Sequence, residues 1–200
     1  MRPMTQDCPY VSRGGLKLAG ALDAFGFDPA GMTCADLGCN IGGFSDCLLQ
    51  RGAASIYAVD TGYGQLAWTL RKDDRVTVME RTNAMHCEPP ALVDLVVIDL
   101  AWTVQSHAIP AGAAWLKPGG RIISLVKPHY EAAKRDPEYR KRKGGGKTAH
   151  LTDDAAAAIF QQTCDDLAAE GYRVLDSILS PIRGKGGGCE YLILVERASE

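Results

Sequence analysis

Two charged side chains stand at the ends of apolar segments in this chain of 200 residues. Asp99 follows the run Leu95–Ile98, and Lys127 follows the run Arg121–Val126. A buried charge without a partner is costly, so each side chain is expected to have an ionic partner or a chemical role. A lysine that burial and a second cation keep neutral can accept a proton. We predict this role for Lys127, and a structural ion pair is the alternative.

A glycine-rich turn follows another short apolar segment, Cys34–Leu37. Its glycines allow the backbone to approach a ligand closely, and such turns hold cofactors at the carboxyl ends of strands. The spacing Gly-x-x-x-Gly-Gly differs from the dinucleotide fingerprint, so it disfavours NAD and fits S-adenosylmethionine (SAM). A purely structural turn is the alternative. The candidate cofactor-binding residues are Asp36, Gly38, Cys39, Asn40, Gly42, Gly43, Phe44 and Asp60, the last at the end of the next strand.

The segments around these residues alternate between strand and helix patterns. This alternation predicts an α/β fold with a mostly parallel, seven-stranded sheet and helices on both faces, in one domain. Two neighbouring strands at the carboxyl end predict an antiparallel strand at one edge. The predicted strands are 34–37, 56–60, 76–79, 95–99, 121–127, 172–179 and 190–195, and the predicted helices are 16–25, 42–51, 64–71, 105–115 and 153–170, with a turn at 118–120.

A basic segment interrupts this order. Residues 131–147 carry seven basic and three acidic side chains, a net charge of +4 in a chain whose net charge is −2. We interpret 131–150 as a mobile loop that contacts RNA phosphates, with a solvated charge run as the alternative. Tyr130 and Tyr139 could stack on bases, whereas Trp68, Trp102 and Trp115 are predicted to lie in the core. The candidate RNA-binding residues are Arg13, Lys134, Arg135, Arg140, Lys141, Arg142, Lys143, Arg183 and Lys185.

The composition argues against several other classes. The chain has seven cysteines, an odd number, and no Cys-x-x-Cys pair, which disfavours a disulfide framework and a structural zinc site. The four histidines have no metal-ligand spacing, so no metal is expected. No apolar run approaches the roughly 20 residues of a membrane span, and the first residues lack the apolar core of a signal peptide. We therefore expect a cytoplasmic protein with free thiols, and leave its oligomeric state open.

Four segments resemble the FtsJ-like RNA methyltransferases, and most closely their TlyA-type (hemolysin A) branch, which methylates ribosomal RNA at the ribose 2′-oxygen. They are 10–18, 47–54, 58–68 and 80–84. The resemblance covers roughly residues 10–130 well and 180–196 more loosely. It implies a Rossmann-like, class I SAM-dependent methyltransferase domain over 1–200, with SAM as cofactor and ribosomal RNA or a ribosomal subunit as partner.

The resemblance also implies roles for individual residues. The family's Lys-Asp-Lys-Glu tetrad would fall on Lys17, Asp99, Lys127 and Glu190. Lys127 would activate the 2′-hydroxyl, Lys17 and Asp99 would orient it, and Glu190 would hold Lys17 or the ribose. The resemblance also assigns residues to SAM. The glycine loop would hold its methionine part, Asp60 its ribose and Asn83 its adenine, and Asp99 would also contribute to cofactor binding.

The sequence departs from the family in three places. Cys39-Asn40-Ile41 stands where small residues are usual, the segment after Lys127 is shorter and basic, and nine residues precede Tyr10 where TlyA-type proteins carry an S4-like domain. Two other functions therefore stay open: SAM-dependent methylation of transfer RNA or a small molecule, and non-catalytic RNA binding in assembly. A pore-forming role is disfavoured, because no apolar span or long cationic amphipathic helix is present.

Overall fold

The computed structural model describes residues 8–136, 139 and 151–198, which build one sheet with helices on both faces. The helices are α1 Gly14–Phe25, α2 Gly43–Gln50, α3 Trp68–Arg71, α4 Gln105–Ala113, α5 Pro128–Arg135 and α6 Asp153–Ala169. The strands are β1 Thr33–Leu37, β2 Ser55–Val59, β3 Val76–Met79, β4 Val93–Ile98, β5 Leu116–Val126, β6 Tyr172–Leu179 and β7 Tyr191–Arg197.

The sheet has seven strands in the order β3-β2-β1-β4-β5-β7-β6, which confirms the predicted sheet. The first five strands in this order pair in parallel, whereas β7 is antiparallel to both β5 and β6. The antiparallel strand therefore lies one position inside the edge, and β6 forms the edge itself. Residues 95–98 of β4 are all apolar and buried, as expected for a strand covered by helices on each side.

The two faces of the sheet carry separate hydrophobic cores. Because side chains alternate along a strand, Leu95 and Val97 of β4 enter the core that α1 and α2 cover. Val96 and Ile98 enter the other core, which α4 and α6 cover together with the fully buried Trp115. The predicted core position of Trp115 is thus confirmed. The two cores therefore cover the parallel strands on both faces of the sheet.

Two element boundaries differ from the sequence prediction. Strand β5 already begins at Leu116 and includes the predicted turn at 118–120, where the pairing register with β4 shifts. Pro118 has no amide hydrogen to donate and Gly119 has a φ of 78°, so the turn becomes an irregularity inside the strand. Helix α3 is shorter than predicted, because Gly64 adopts a left-handed φ of 70° before it.

The start of the basic segment is helical, so the prediction of a loop over 131–150 is wrong for residues 131–135. Pro128 occupies the first turn of α5, where its fixed φ favours a helix. The predicted RNA-binding residues Arg140, Lys141, Arg142 and Lys143 lie outside the described residues.

A buried polar network joins α5 to the sheet beside Lys127. The Glu131 carboxylate accepts a hydrogen bond from the Gln105 backbone N–H at 2.8 Å, which caps the start of α4. The Gln105 side chain donates to the Leu125 carbonyl at 3.2 Å and accepts from the Ser124 hydroxyl at 2.7 Å. Burial raises the pKa of the Glu131 carboxyl. The network fixes the end of β5 and therefore the start of the loop that carries Lys127.

All seven cysteines are free. Within the described ranges, no helix is long and apolar enough to cross a membrane, and no group of three or more histidine, cysteine, aspartate or glutamate side chains is arranged to hold a metal ion.

Replacing Glu131 with alanine should lower the free energy of unfolding by about 1–3 kcal/mol, because the buried Gln105 N–H loses its acceptor. Glu131→Gln keeps a carbonyl oxygen at this position, so it should lower the free energy of unfolding by less than half as much as Glu131→Ala. Urea denaturation of the three proteins measures the difference. Equal losses for the two variants would contradict the capping role.

Candidate active site

The carboxyl ends of the five parallel strands meet at one edge of the sheet. The loops that follow β1, β2, β4 and β5 carry the glycine turn, Asp60, Asp99 and Lys127 there. Because β7 runs in the opposite direction, its beginning lies at this edge, and Glu190 directly precedes it. Ligands of open α/β sheets bind at this edge.

The glycine turn forms one wall of a cleft of about 260 Å³. Gly38 has a φ of 91°, and a Cβ on it would lie 2.7 Å from the Asp99 carbonyl oxygen. Gly43 lies so close to α1 that a Cβ on it would lie 2.9 Å from the Gly15 nitrogen. Glycine is therefore required at both positions for the backbone to form this wall. Of the predicted cofactor-binding residues, Asp36, Gly38, Cys39, Asn40, Gly43, Phe44 and Asp99 line the cleft, and Gly42 lies behind it against Leu66 and Leu70.

Asp36 is fully buried on the wall of this cleft. Its Oδ2 accepts hydrogen bonds from the Ser45 N–H at 2.9 Å and the Ser45 hydroxyl at 2.6 Å. Its Oδ1 has no hydrogen-bond partner among the described residues. Burial raises the pKa of the Asp36 carboxyl to about 7, against the opposing effect of the Ser45 bonds. A buried acceptor of this kind fits a cationic donor such as an ammonium group.

Asp60 fixes the position of the glycine turn. Its Oδ2 accepts from the Asn40 N–H at 2.9 Å, and its Oδ1 accepts from the Gly62 N–H at 2.7 Å. Asn83 is exposed in the loop after β3, where its side-chain oxygen accepts from the Met85 N–H at 3.0 Å. Neither Asp60 nor Asn83 lines the cleft, and both lie in the loops beside it.

The four residues of the predicted tetrad all line a second cleft of about 440 Å³. They form two ion pairs. The Lys127 Nζ lies 2.5 Å from the Asp99 Oδ1 and donates to the Leu100 carbonyl at 3.1 Å, and Lys17 pairs with Glu190. The Lys17 and Glu190 side chains are only 11% and 6% exposed. The structure therefore contains the ion pair named as the alternative for Asp99 and Lys127, and places it in a cleft where a substrate can reach it.

The two clefts adjoin. Lys17, Gly38, Asn40, Asp99 and Lys185 line both of them. A group held by the glycine turn and a group held by the two ion pairs would therefore meet without leaving the protein, as a transfer reaction requires.

The predicted RNA-binding residues in the described ranges fall into two places. Lys185 and Arg13 line the clefts, and the Arg13 guanidinium donates to the Arg183 carbonyl at 3.0 Å. The Arg183 guanidinium donates two hydrogen bonds to the Asp153 carboxylate. These bonds lower the pKa of the Asp153 carboxyl to about 2. Lys134 and Arg135 lie apart on α5, where Arg135 pairs with Asp166 at 2.7 Å.

Two tryptophans predicted to be buried are exposed. Trp102 is 77% exposed, and its ring lies 5.0 Å from that of Tyr130, a residue that lines the second cleft. Trp68 is 68% exposed beside Lys72. The sequence position of Trp102 could have predicted this exposure. Trp102 lies three residues after Asp99, in the loop that follows the strand, and loops of this kind lie on the surface and carry functional residues. Tyr139 is half-buried.

This strand order, the glycine turn after β1 and the acidic residue after β2 define a class I SAM-dependent methyltransferase. A solved structure from Listeria monocytogenes, named as a SAM-dependent methyltransferase, shares the fold with a TM-score of 0.60 at 18% identity, over 92% of this chain and 100% of that one. Within this class, the chain belongs to the FtsJ-like methyltransferase family, whose sequence model matches residues 10–197.

Two similar proteins carry names used for the branch that the sequence resembles. The 16S/23S rRNA (cytidine-2'-O)-methyltransferase TlyA of Mycobacterium tuberculosis is 40% identical over 189 residues, which cover 92% of this chain and 67% of that protein. A solved structure from Streptococcus thermophilus, named as a hemolysin, has a TM-score of 0.86 at 35% identity, over 98% of this chain and 70% of that one. The chain thus spans about two thirds of the length of the TlyA relative.

The buried Asp36 should make the stability of the cofactor-free protein depend on pH. Its folded-state pKa of about 7 exceeds the usual unfolded value of about 3.9, so the folded state binds a proton more readily. The free energy of unfolding of the wild type relative to Asp36→Asn should therefore fall as the pH rises from about 4 to about 7, by at most about 1.4 kcal/mol per pH unit.

Denaturation of both proteins from pH 4.5 to 8 measures this difference. Asp28→Asn removes an exposed carboxyl in the loop after α1 and serves as the control substitution. A difference between wild type and Asp36→Asn that is constant over this pH range would contradict the prediction.

Proposed function

We propose that this chain transfers a methyl group from SAM to the ribose 2′-oxygen of a cytidine in ribosomal RNA. The observation that carries the proposal is the pair of lysine–carboxylate contacts in the cleft that adjoins the glycine turn. The named reaction of the TlyA relative, which matches 92% of this chain, supports the choice of acceptor. The same proposal includes a ribosomal subunit as the particle that presents this RNA, and a cytoplasmic location for the protein.

The first cleft has the features that SAM needs. The glycine turn would lie along the methionine part, and the unpaired Asp36 Oδ1 would accept from its ammonium group. Asp60 would bind the ribose hydroxyls and Asn83 the adenine, from the loops beside the cleft. When bound, SAM supplies a methyl group on a positively charged sulfur. The protein has to fix the acceptor oxygen in line with that methyl group and to remove the acceptor's proton.

Lys127 is the residue that we expect to remove the proton. The Asp99 carboxylate and the Leu100 carbonyl fix its Nζ at the cleft wall. After its ammonium form has released a proton to solvent, the neutral Nζ can receive the proton of the ribose 2′-hydroxyl as that oxygen bonds to the methyl carbon and the bond between this carbon and sulfur breaks. General-base help of this kind typically contributes 10²–10⁴-fold. Lys17, held by Glu190, would orient the hydroxyl from the other side. Most of the rate enhancement would come from positioning the two reactants.

An aromatic surface stands beside the proposed acceptor cleft and suits a nucleobase. Trp102 and Tyr130 lie with their ring centres 5.0 Å apart, and the Lys127 Nζ lies 5.7 Å from the Tyr130 ring centre. Sequence-specific RNA recognition commonly uses unstacked bases that stack on aromatic side chains. Exposure of a large aromatic side chain next to the tetrad supports an RNA acceptor over a small hydrophilic molecule.

Lys127→Ala should abolish methyl transfer, with a loss of at least about 100-fold. Its affinity for SAM should stay within a few-fold, because Lys127 lines only the second cleft. Incorporation of labelled methyl groups into ribosomal subunits and into total RNA, followed by nuclease mapping of 2′-O-methylated nucleotides, measures the reaction and locates its product.

Lys117→Ala is the matched control, because Lys117 and Asp94 form a similar pair at 2.8 Å on the same two strands but at the opposite edge of the sheet. This variant should retain wild-type incorporation. Full activity of Lys127→Ala would overturn the base assignment, and a wild-type chain that binds SAM without methylating any RNA would overturn the proposed acceptor.

Trp102→Ala should raise the KM for RNA by roughly tenfold, which corresponds to the 1–3 kcal/mol typical of base–aromatic stacking. Trp102→Phe should recover most of the affinity, because the aromatic face is kept. Steady-state kinetics with ribosomal subunits measures both values. Equal KM values for Trp102→Ala and the wild type would show that no base stacks there.

A further inference from the structure

Two cations of the clefts, Lys185 and Arg13, form no ion pair with any described residue. Lys17 is paired with Glu190 and Lys127 with Asp99, so these four side chains contribute little net charge. Lys185 is exposed, lines both clefts and forms no ion pair within the described part of the chain. An exposed lysine at the junction of two clefts produces a local positive potential where their contents meet.

The loop that carries Lys185 is fixed at its base. The Arg183 guanidinium binds the Asp153 carboxylate at 3.0 and 2.7 Å and also donates to the Gly187 carbonyl at 3.2 Å. The Gly187 N–H donates to the Gly184 carbonyl at 2.8 Å, which closes a tight turn. Lys185 therefore lies at the tip of a short, closed loop, and the orientation of this loop is set by a bidentate ion pair.

The same loop lies directly against the tetrad. A Cβ added to Gly184 would lie 3.0 Å from the Glu190 carboxyl carbon, so glycine at this position lets the loop pack on the Lys17–Glu190 pair. The backbone amides of Lys185 and Gly186 donate no hydrogen bond to any described residue and are available to a ligand. Arg13 adds a second cation, because it lines the first cleft and contacts the Arg183 carbonyl.

We infer that Lys185 and the amides of this loop bind the phosphodiester attached to the 3′-oxygen of the ribose that is methylated. The inference rests on the proposed function, because it takes the cleft at the tetrad as the place of the 2′-hydroxyl. In a ribonucleotide, the 2′-oxygen and the 3′-phosphate are on neighbouring carbons of the ribose. A cation and free amides beside the tetrad are therefore within reach of that phosphate. The site would accept a nucleotide within an RNA chain and disfavour a free nucleoside.

The test compares Lys185→Gln with Lys185→Arg, and uses Lys117→Gln at the opposite edge of the sheet as the control. Lys185→Gln should weaken RNA binding on the order of fivefold and lower the slope of log affinity against log salt by about 1, the effect of one lost phosphate contact. Lys185→Arg should retain the wild-type slope, and so should Lys117→Gln. Titration of each protein with SAM in the absence of RNA should give the same affinity.

The outcomes are distinct. Suppose that the wild type methylates RNA and that Lys185→Gln has the same salt slope and the same KM for RNA as the wild type. This result overturns the phosphate site and leaves the proposed function intact. A variant that loses affinity for SAM and keeps its affinity for RNA assigns Lys185 to the carboxylate of the cofactor, which also overturns the inference. A wild type that neither binds nor methylates RNA overturns the proposed function itself.

Discussion

The direction of β7 is the constraint on which the candidate active site depends. In a sheet of parallel strands, only the residues that follow the strands gather at the carboxyl edge, as Asp99 and Lys127 do. Strand β7 runs the opposite way, so the residue before it, Glu190, reaches the same edge and meets Lys17. The register sets this meeting point, because Val126 pairs with Tyr191. A slip of one residue would turn Glu190 to the other face of the sheet and leave Lys17 without a partner.

Two partly buried ion pairs in one cleft are difficult to explain as a source of stability. Desolvating a lysine and a carboxylate costs several kcal/mol per ion, and a well-packed apolar pair at the same place is often as stable. Removing one partner, in contrast, leaves an uncompensated buried charge. Lys17–Glu190 and Lys127–Asp99 are therefore better understood as a preorganised polar surface, in which the charges are already oriented before an acceptor arrives.

Much of this architecture could be predicted from local sequence. Runs such as Leu95–Ile98 identify buried strands, and a charged residue directly after such a run must lie at a strand end. The four tetrad residues were placed by family resemblance, and the structure brings them to one cleft. Contacts between distant segments could not be predicted in this way. The Arg183–Asp153 pair joins residues 30 positions apart, and nothing in either segment identifies the other. The exposure of Trp102 depends on the packing of its loop, whereas hydrophobicity alone suggests burial.

The strand order has a consequence for biosynthesis. Strand β6 is made before β7, but its hydrogen-bonding partner in the sheet is β7, which inserts between β5 and β6. Until the ribosome has released the segment Tyr191–Arg197, β6 has no strand to pair with and β5 has an open edge. Closing the long loop from β5 to β7 is entropically unfavourable and is compensated only when both neighbouring strands pair. The cleft at the two ion pairs is therefore completed only after β7 has been made, and a chain that ends before Glu190 cannot form it.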